Sequence, residues 1–487
     1  MPKFVLLATD LALYFQMLVL VLYVRHALRT PLLRQSWRYV QRDGAAMSAA
    51  VVLVVFLLIA LLDSVHFRPR LPPAPDAAPA AEIAYSTRTL SVLDVLLTGP
   101  REAREKTYSV PLATHQFSKE SMQREGVTVR DFPRLQYGGR HLEQPQEQWG
   151  GDVLRRSVNG LGSGLLVVVL GAALLLLRQS QRSGQAFMPS ALDLWQGRSA
   201  LPWRAIGVTL TVLLLLVAWV AALWPYYHIM GTDQTGNDVL FVCLKSVRTA
   251  VVIGSLATIA TIPLALLFGI LAGYFKGWVD DGIQYAYTVL SSIPSVLLIS
   301  AFVLMIQVFI DKNPQWFETG LERADIRLFL LATILGLTGW AQLARLLRAE
   351  TLKLGELEYV QAARAFGVSH AGIMRRHLLP NVTHIIVIVA VLDFSGLVLY
   401  EAVLSYVGVG VDPNTQSFGT MINSARNEMS RDPVIWWTLS TAFAFMVALV
   451  LSMTLFASAV REAFDPRARA YRVRPAGAST LPSQEAA

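Results

Sequence analysis

Long apolar runs alternate with short polar segments along the chain. Nine of these runs approach the roughly 20 residues that a helix needs to cross the hydrocarbon core of a bilayer. The nine predicted spans lie at about residues 4–24, 46–65, 158–177, 205–224, 248–273, 284–310, 327–346, 382–406 and 434–459. The pattern therefore predicts an all-α, polytopic membrane protein with about nine transmembrane helices.

Two loops between predicted spans are rich in arginine. The loop 25–42 contains five Arg residues and the loop 178–204 contains four. Because positive charge favours the cytoplasmic side, we expect both loops to be cytoplasmic. Nine alternating spans then predict an N-terminus outside the cell, a segment 358–381 inside it, and a cytoplasmic, disordered tail over residues 468–487.

The first apolar run has two interpretations, a transmembrane helix or a cleaved signal peptide. It carries only Lys3 as a basic residue before the run, it contains Asp10, and it shows no clear small-residue cleavage site. These features favour retention of the first helix.

The only long insertion between spans is the segment 67–157, which the alternation places outside. It opens with a Pro/Ala-rich linker over residues 69–81. Four leucines, Leu90, Leu93, Leu96 and Leu97, fit the apolar face of one short helix. A small cap packed on the helices is favoured over a dedicated ligand or partner site, since the segment contains no motif for chemistry. A faint repeat also relates residues 151–154 to residues 236–240, and chance explains it nearly as well.

Composition agrees with a membrane protein, since 54% of the 487 residues are hydrophobic and 16% are charged. The net charge of +8 arises largely from arginines beside apolar runs, so no nucleic-acid partner is expected. A single cysteine, Cys243, excludes an intrachain disulfide. We divide the chain into two extra helices with a basic loop (1–66), the insertion (67–157), a third extra helix with its loop (158–203), a core (204–467) and the tail.

The segment 358–381 is the most distinctive polar stretch of the core. Residues 358–366 favour a helix, Gly367 interrupts it, and Ser369 is placed to cap a second helix over residues 371–379. Pro380 suits the first turn of the following element. The sequence predicts a short helical hairpin at the membrane face.

The spacing of this hairpin resembles the cytoplasmic EAA loop of permease subunits in importer-type ABC transporters. The matching positions are Gln361, Ala362, Ala363, Gly367, Leu379 and Pro380. Gln361 stands where the family often has Glu, which leaves one salt bridge of the family in doubt. The resemblance implies that the hairpin, with His377 in its second arm, occupies a groove of an ATPase subunit and couples ATP hydrolysis to transport.

Flanking segments resemble the second, C-type permease subunit of bacterial dipeptide/oligopeptide ABC importers. The similar segments are residues 231–240, 404–413, 417–419 and 462–467, and the likeness covers about residues 204–467. It implies a type I ABC importer permease fold in the bacterial cytoplasmic (inner) membrane. It also implies a heterodimer with a second permease subunit, one or two ABC ATPase subunits, and an extracytoplasmic substrate-binding protein that delivers peptides or related small solutes.

Two acidic residues lie within the eighth predicted span, Asp393 near its middle and Glu401 further along. An acid at the centre of a bilayer costs about 3 kcal/mol, so both side chains should face protein or water. Asp393 fits a substrate pathway and an interhelical contact equally well. For Glu401 a structural contact is favoured over the pathway.

The sequence contains no phosphate-binding loop of the form Gly-x-x-x-x-Gly-Lys-Ser/Thr, so we expect no ATPase site and no bound cofactor on this chain. ATP would be used by the partner ATPase subunits. An alternative function is a secondary transporter driven by an ion gradient, with Asp393 and Glu401 as ion sites. A third is a scaffold or sensor whose working part is the insertion 67–157.

Overall fold

The computed structural model describes residues 2–71, 85–124, 127–183, 201–317 and 319–464. This part of the chain is mostly helical, and nine of its helices are long and apolar enough to cross a membrane. The predicted all-α polytopic fold and its nine spans are thereby confirmed. The tail 468–487, most of the loop 178–204 and most of the Pro/Ala-rich linker lie outside the described residues.

The N-terminal half contains four span-length helices and five short strands. Its helices are α1 Ala8–Arg29, α2 Pro31–Arg42, α3 Gly44–Asp63, α4 Val92–Leu96, α5 Thr98–Glu102, α6 Pro145–Ser183 and α7 Trp203–Leu223. Its strands are β1 Lys3–Val5, β2 His66–Arg68, β3 Leu90–Ser91, β4 Glu120–Arg124 and β5 Val127–Asp131. The first three form an antiparallel sheet in the order β1-β2-β3, with Phe4 opposite Phe67, and β4 pairs with β5.

The C-terminal half supplies the other five span-length helices. Its helices are α8 Val239–Phe275, α9 Gly277–Ser292, α10 Ser295–Lys312, α11 Gly320–Gly355, α12 Glu358–Ala365, α13 His370–Ile373, α14 Leu379–Tyr406, α15 Phe418–Glu428 and α16 Trp437–Phe464. A π-helical turn, Met374–Leu378, joins α13 to α14 without a break.

Several helix boundaries differ from those predicted. The sixth predicted span, 284–310, is divided between α9 and α10, because Pro294 favours an extended conformation at Ile293, whose φ is −88° and ψ is 130°. The fifth span begins at Val239 and not near residue 248, since the Asp238 carboxylate accepts a hydrogen bond from the Phe241 amide at 3.0 Å and starts the helix earlier. The third span begins at Pro145, well before residue 158.

Helices α8 and α11 pack closely along their length and form the centre of the C-terminal half. A Cβ atom added at Gly336 would lie 2.5 Å from the Cβ of Ala260, and one added at Gly273 would lie 2.6 Å from the Cβ of Thr351. The two backbones therefore touch at these glycines, which is how small residues drive helix association inside a bilayer. Helix α14 packs against α8 and α16.

The long helix α8 defines two ends of the molecule. It has 37 residues and is therefore about 55 Å long. Residues 85–142, the cap, lie at its N-terminal end, and the hairpin 358–381 lies at its C-terminal end. We refer to these as the cap end and the hairpin end.

Charged side chains near the start of α8 tie the N-terminal helices to the core. The Arg248 guanidinium lies 2.6 Å from Asp10 of α1 and 3.3 Å from Asp325 of α11. One turn earlier, Lys245 lies 2.6 Å from Asp63 at the end of α3. All three carboxylates are buried, so the N-terminal helices are integral to the fold at the cap end.

The cap is built against the loop that precedes α8. The Glu105 carboxylate accepts hydrogen bonds from three successive backbone amides of the cap, at residues 136–138. The backbone at Glu105 also approaches Gly236 so closely that an added Cβ there would lie 1.9 Å from the Glu105 carbonyl oxygen. Only glycine fits at this contact.

Two details predicted for the cap region are wrong. Leu90 lies in β3, and the helix that was predicted to include it is confined to α4, because Ser91 caps that helix by accepting from the Asp94 amide at 3.1 Å. The faint repeat between residues 151–154 and 236–240 also fails, because its two aspartates have different structural positions. Asp238 caps α8 from outside, whereas Asp152 lies within α6.

Candidate functional site

The hairpin 358–381 has the predicted order of helix, corner and helix. Helix α12 forms the first arm, residues 366–369 form the corner, and α13 with the π-helical turn forms the second arm. The second arm does not end before Pro380, as the sequence had suggested, but continues directly into α14. Proline lacks an amide hydrogen and its ring crowds the preceding turn, and a π-helical turn is a common way for a helix to accommodate such a disruption.

The corner of the hairpin depends on Gly367. Its φ of +75° lies in the left-handed region, and no atom lies within 4 Å of the position where a Cβ would stand. The glycine is thus required for its backbone conformation and not for space. Immediately after it, the Ser369 hydroxyl accepts a hydrogen bond from the Gly372 amide at 3.3 Å and starts the second arm, as predicted.

Apolar side chains hold the two arms against the core. Val360 and Ala363 of the first arm and Ile373 and Leu378 of the second are buried in one cluster with Leu347 of α11. Ala363 is therefore a packing residue. Gln361, Ala362 and Pro380 are exposed, and Leu379 and His377 are partly exposed.

Polar contacts also fix the hairpin in place. The Tyr274 hydroxyl at the end of α8 lies 2.8 Å from Nδ1 of His370. Within the hairpin, the His377 ring lies 5.8 Å from the Tyr359 ring, and Asn381 donates to the Tyr359 hydroxyl at 3.2 Å. These contacts join both arms to each other and to α8.

The first turn of α9 adds a further connection at the hairpin end. The Asp280 carboxylate accepts two hydrogen bonds from Arg348 of α11, at 2.5 and 2.6 Å. This ion pair lowers the pKa of Asp280. Asp280 is therefore a structural contact, since the residue is only 8% exposed and is held by Arg348.

The most exposed large apolar side chain of the hairpin is Phe366 at the corner, which is 87% exposed. Small and polar residues surround it on the same surface, including Gln361 and Ala362. An aromatic ring held in water by a rigid corner is typical of a docking surface. The spacing argument from the sequence had missed Phe366, although its position beside Gly367 was a usable signal.

A cavity of about 810 Å³ opens beside α14, between this helix and α11. Asp393 lines it together with Gln342, Arg345 and Tyr400. Within the described part of the chain, Asp393 has no hydrogen-bond partner. The structure thus places Asp393 on the wall of a cavity and not in an interhelical hydrogen bond.

Glu401 has a different environment, although it lies on the same helix. It is 1% exposed, and its carboxylate accepts a hydrogen bond from Ser405 at 2.7 Å. A Cβ added at Gly419 of α15 would lie 2.9 Å from the Glu401 carboxylate. Glu401 therefore belongs to the junction of α14 and α15, does not line the Asp393 cavity, and is not brought together with Asp393.

Comparison with known proteins agrees with this architecture. Residues 265–470 match the family described as binding-protein-dependent transport system inner membrane component. The oligopeptide transport system permease protein OppC of Haemophilus influenzae is 28% identical over 243 residues, which cover 50% of this chain and 71% of that protein. The peptidoglycan transport system permease protein YejE of Agrobacterium fabrum is 35% identical over 246 residues, covering 49% of this chain and 57% of that protein.

A solved structure of the MetNI methionine ABC transporter, in inward-facing conformations, covers 47% of this chain and 98% of its own matched chain. The sequence identity is 18% and the TM-score is 0.36. The region matched by the family, residues 265–470, contains α11, the hairpin, Asp393 and α14. Through this region the chain is similar to the inner membrane components of binding-protein-dependent transport systems, and the OppC and YejE matches support a permease subunit of the peptide-type ABC importer class.

Proposed function

We propose that this chain forms half of the translocation pathway of an ATP-driven importer for peptides or related small solutes. A second permease subunit would complete the heterodimer, one or two ABC ATPase subunits would hydrolyse ATP, and an extracytoplasmic binding protein would deliver the substrate. The names of the oligopeptide and peptidoglycan permease relatives support the substrate class. In this assembly the hairpin end and the C-terminus are cytoplasmic, and the N-terminus and the cap are extracytoplasmic.

The observation that carries the proposal is the continuity between the hairpin and the cavity. Residues 370–406 form one uninterrupted helical rod that contains the second arm of the hairpin and the cavity wall. Asp393 stands 14 residues beyond Leu379, which is about 20 Å along the helix. A displacement of the hairpin would therefore move the cavity wall as a rigid lever.

The surface around Phe366 is the proposed contact with the ATPase subunit. Gln361 and Ala362 lie on the exposed side of α12, and Phe366 projects from the corner. The small side chain of Ala362 permits close approach, and Phe366 supplies an aromatic group for a pocket on the partner. No ATP site is proposed on this chain, so the energy of hydrolysis would enter through this contact.

A substitution at the corner tests the coupling. In the reconstituted complex, Gly367→Val is expected to reduce substrate uptake per ATP hydrolysed by about tenfold or more, because a β-branched residue resists a positive φ and the corner must deform. Uptake and ATP hydrolysis are measured together in proteoliposomes. Gly355→Val is the matched control, since Gly355 ends α11 near the same membrane face with no positive φ and open space at its Cβ position. Normal coupling in Gly367→Val would contradict the proposal.

A secondary transporter remains the competing function because Asp393 faces a cavity without a hydrogen-bond partner in the described residues. The position of Glu401 weighs against it, since a shared ion site needs both acids and Glu401 is buried in a separate junction. Vanadate-sensitive uptake that requires a co-purified ATPase supports the importer. Uptake that is abolished by ionophores and needs no ATPase supports the secondary transporter.

A further inference from the structure

A basic surface lies at the hairpin end of the N-terminal helices and has no part in the hairpin mechanism. It is formed by the end of α1 and by α2, and we refer to it as the arginine surface. Its five exposed members are Arg25, Arg29, Arg34, Arg38 and Arg42. In the described part of the chain, none of these five side chains has an ion pair or a hydrogen bond. The arginine surface therefore presents five guanidinium groups that the protein itself does not neutralise.

The acids nearest in the sequence and in the packing are already engaged. The stretch 25–43 contains one acid, Asp43, whose carboxylate accepts a hydrogen bond from the Ala46 amide at 3.0 Å. Glu462 of α16, which α2 contacts, accepts a hydrogen bond from the Tyr39 hydroxyl at 3.0 Å. Neither carboxylate is paired with a member of the arginine surface.

The other side of α2 is fixed to the core. Val40 is buried in one apolar cluster with Val460 and Phe464 of α16. The Trp37 ring lies edge-on to the Phe464 ring at 5.6 Å, and its indole nitrogen donates to the Tyr23 hydroxyl of α1 at 3.2 Å. These contacts hold α2 against α16 and fix the direction in which its remaining side chains point.

Three of the arginines lie along one face of α2. Residues 34, 38 and 42 repeat at steps of four, so they lie on one side of the helix, away from Trp37 and Val40. The helix is thus amphipathic, with its apolar face occupied by the core and its basic face directed away from α16.

The length of α3 gives the level of α2 relative to the membrane. Helix α3 has 20 residues and is about 30 Å long, which matches the hydrocarbon core of a bilayer. Asp43, the residue that begins α3, therefore stands at the edge of that core, and Arg42 directly precedes it. Only Thr30 separates α2 from the end of α1, the other adjoining span. The arginine surface accordingly lies at the level of the lipid headgroups.

We propose that the arginine surface binds the phosphate groups of anionic phospholipids in the leaflet at the hairpin end. A guanidinium group donates paired hydrogen bonds to phosphate, and a cluster of arginines beside a transmembrane helix is attracted to an anionic leaflet. An acidic surface of an ATPase subunit fits less well. The hairpin, which is the proposed ATPase contact, packs in a separate apolar cluster that contains no residue of α2.

Native mass spectrometry of the purified full-length chain tests the contact. The probes are phosphatidylglycerol, whose headgroup has a net negative charge, and phosphatidylcholine with the same acyl chains, whose headgroup is neutral overall. We expect the unmodified chain to bind phosphatidylglycerol about tenfold or more tightly than phosphatidylcholine, since several arginines add their attraction. In the triple variant Arg34→Gln, Arg38→Gln and Arg42→Gln, this preference should fall by about fivefold or more. Glutamine removes the charge and keeps a high helix propensity.

A second triple variant, Arg88→Gln, Arg130→Gln and Arg140→Gln, is the matched control. It removes the same charge from exposed positions of the cap, at the other end of the molecule, and should keep the full preference for phosphatidylglycerol. The single variant Arg38→Gln protects the test against a folding defect in the α2 triple variant. It should lower the preference by about twofold or more, and the thermal unfolding temperature in detergent shows whether each variant is folded.

Three results would overturn the proposal. Equal affinity of the unmodified chain for the two lipids would leave the arginine surface to an acidic protein partner. An unchanged preference in the folded α2 variants would place the lipid elsewhere, and an equal loss of preference in the cap variant would mean that net charge alone attracts the lipid. The isolated chain is sufficient for every measurement, so these results are independent of transport and of the proposed ATPase contact.

Discussion

Asp393 and Glu401 lie about two turns apart on α14, yet their surroundings give them different roles. Asp393 lines the 810 Å³ cavity and is only partly buried, which leaves room for water beside its carboxylate. Glu401 is enclosed by α15 and bonded to Ser405. An acid in a membrane span is costly unless it meets water or a partner, and each residue meets one of these two conditions. The same chemical group therefore lies on a cavity wall in one case and in a helix junction in the other.

The different surroundings predict different effects of neutral substitutions. Asp393→Asn is expected to lower uptake by about tenfold in the reconstituted complex, because it removes a charge that a substrate or water chain would meet. Its thermal stability should change little, since no hydrogen bond is lost within the described residues. Glu401→Gln is the comparison on the same helix. Its main effect should be a lower unfolding temperature, because Glu401 is buried and bonded to Ser405. Unchanged uptake and coupling in Asp393→Asn would exclude a pathway role.

His228 connects the cap with the start of α8 and gives the protein a pH-dependent stability. Burial opposes its charged form, but a hydrogen bond to Asp238 at 2.8 Å and the Glu105 carboxylate 3.5 Å from Nε2 raise the pKa of His228 to about 9. Because the pKa is raised, protonated His228 stabilises the folded protein. This stabilisation is complete below about pH 6.5 and is lost as the pH rises through about 9. The loss should be on the order of 3 kcal/mol.

Thermal unfolding in detergent between pH 6 and pH 10 measures this effect. The unfolding temperature should fall across that interval, and the fall should be smaller in His228→Asn, which keeps a donor but cannot titrate. His115 is the control, since it lies in the cap without the two carboxylates of the His228 site, and His115→Asn should keep the full pH dependence. Identical profiles for the unmodified chain and His228→Asn would contradict the assignment.

At the scale of elements, hydrophobic pattern and turn residues were sufficient for most of the fold. The nine spans follow from run length, and the corner at Gly367 follows from the local sequence. Pro294 indicates the break between α9 and α10, but the apolar residues around it led to the prediction of one continuous span. The π-helical turn at Met374–Leu378 had no such signal, because whether a helix stops at a proline or passes it depends on packing around it. The sequence therefore located the hairpin 358–381 but did not reveal that it is continuous with the cavity wall.

At the scale of the whole molecule, the attachment of the N-terminal helices depends on tertiary ion pairs. Asp10, Arg248 and Asp325 are far apart in the sequence and meet only when α1, α8 and α11 are assembled. Asp10 stood out within an apolar run, but nothing local identified its partner. The cap is joined to the core in the same way, through Glu105 and the loop around Gly236. We therefore expect the N-terminal half to fold as one unit with the C-terminal half at the cap end.

A double-mutant cycle on Asp10 and Arg248 tests this unity. Each single variant breaks the buried pair and leaves the remaining charge with one other partner: Arg248 keeps Asp325 in Asp10→Asn, and Asp10 keeps His66 in Arg248→Met. Each should cost up to about 3–5 kcal/mol of stability. The double variant removes both charges and should lose clearly less than the sum of the two single losses, by an interaction energy of about 1–3 kcal/mol. Stability is measured by thermal unfolding in detergent, together with protease resistance of α1. Lys353→Met, in an exposed pair with Glu350, is the control and should cost under about 1 kcal/mol. Strictly additive losses would mean that α1 and α8 are energetically independent, and the N-terminal half would then be an appendage to the permease core.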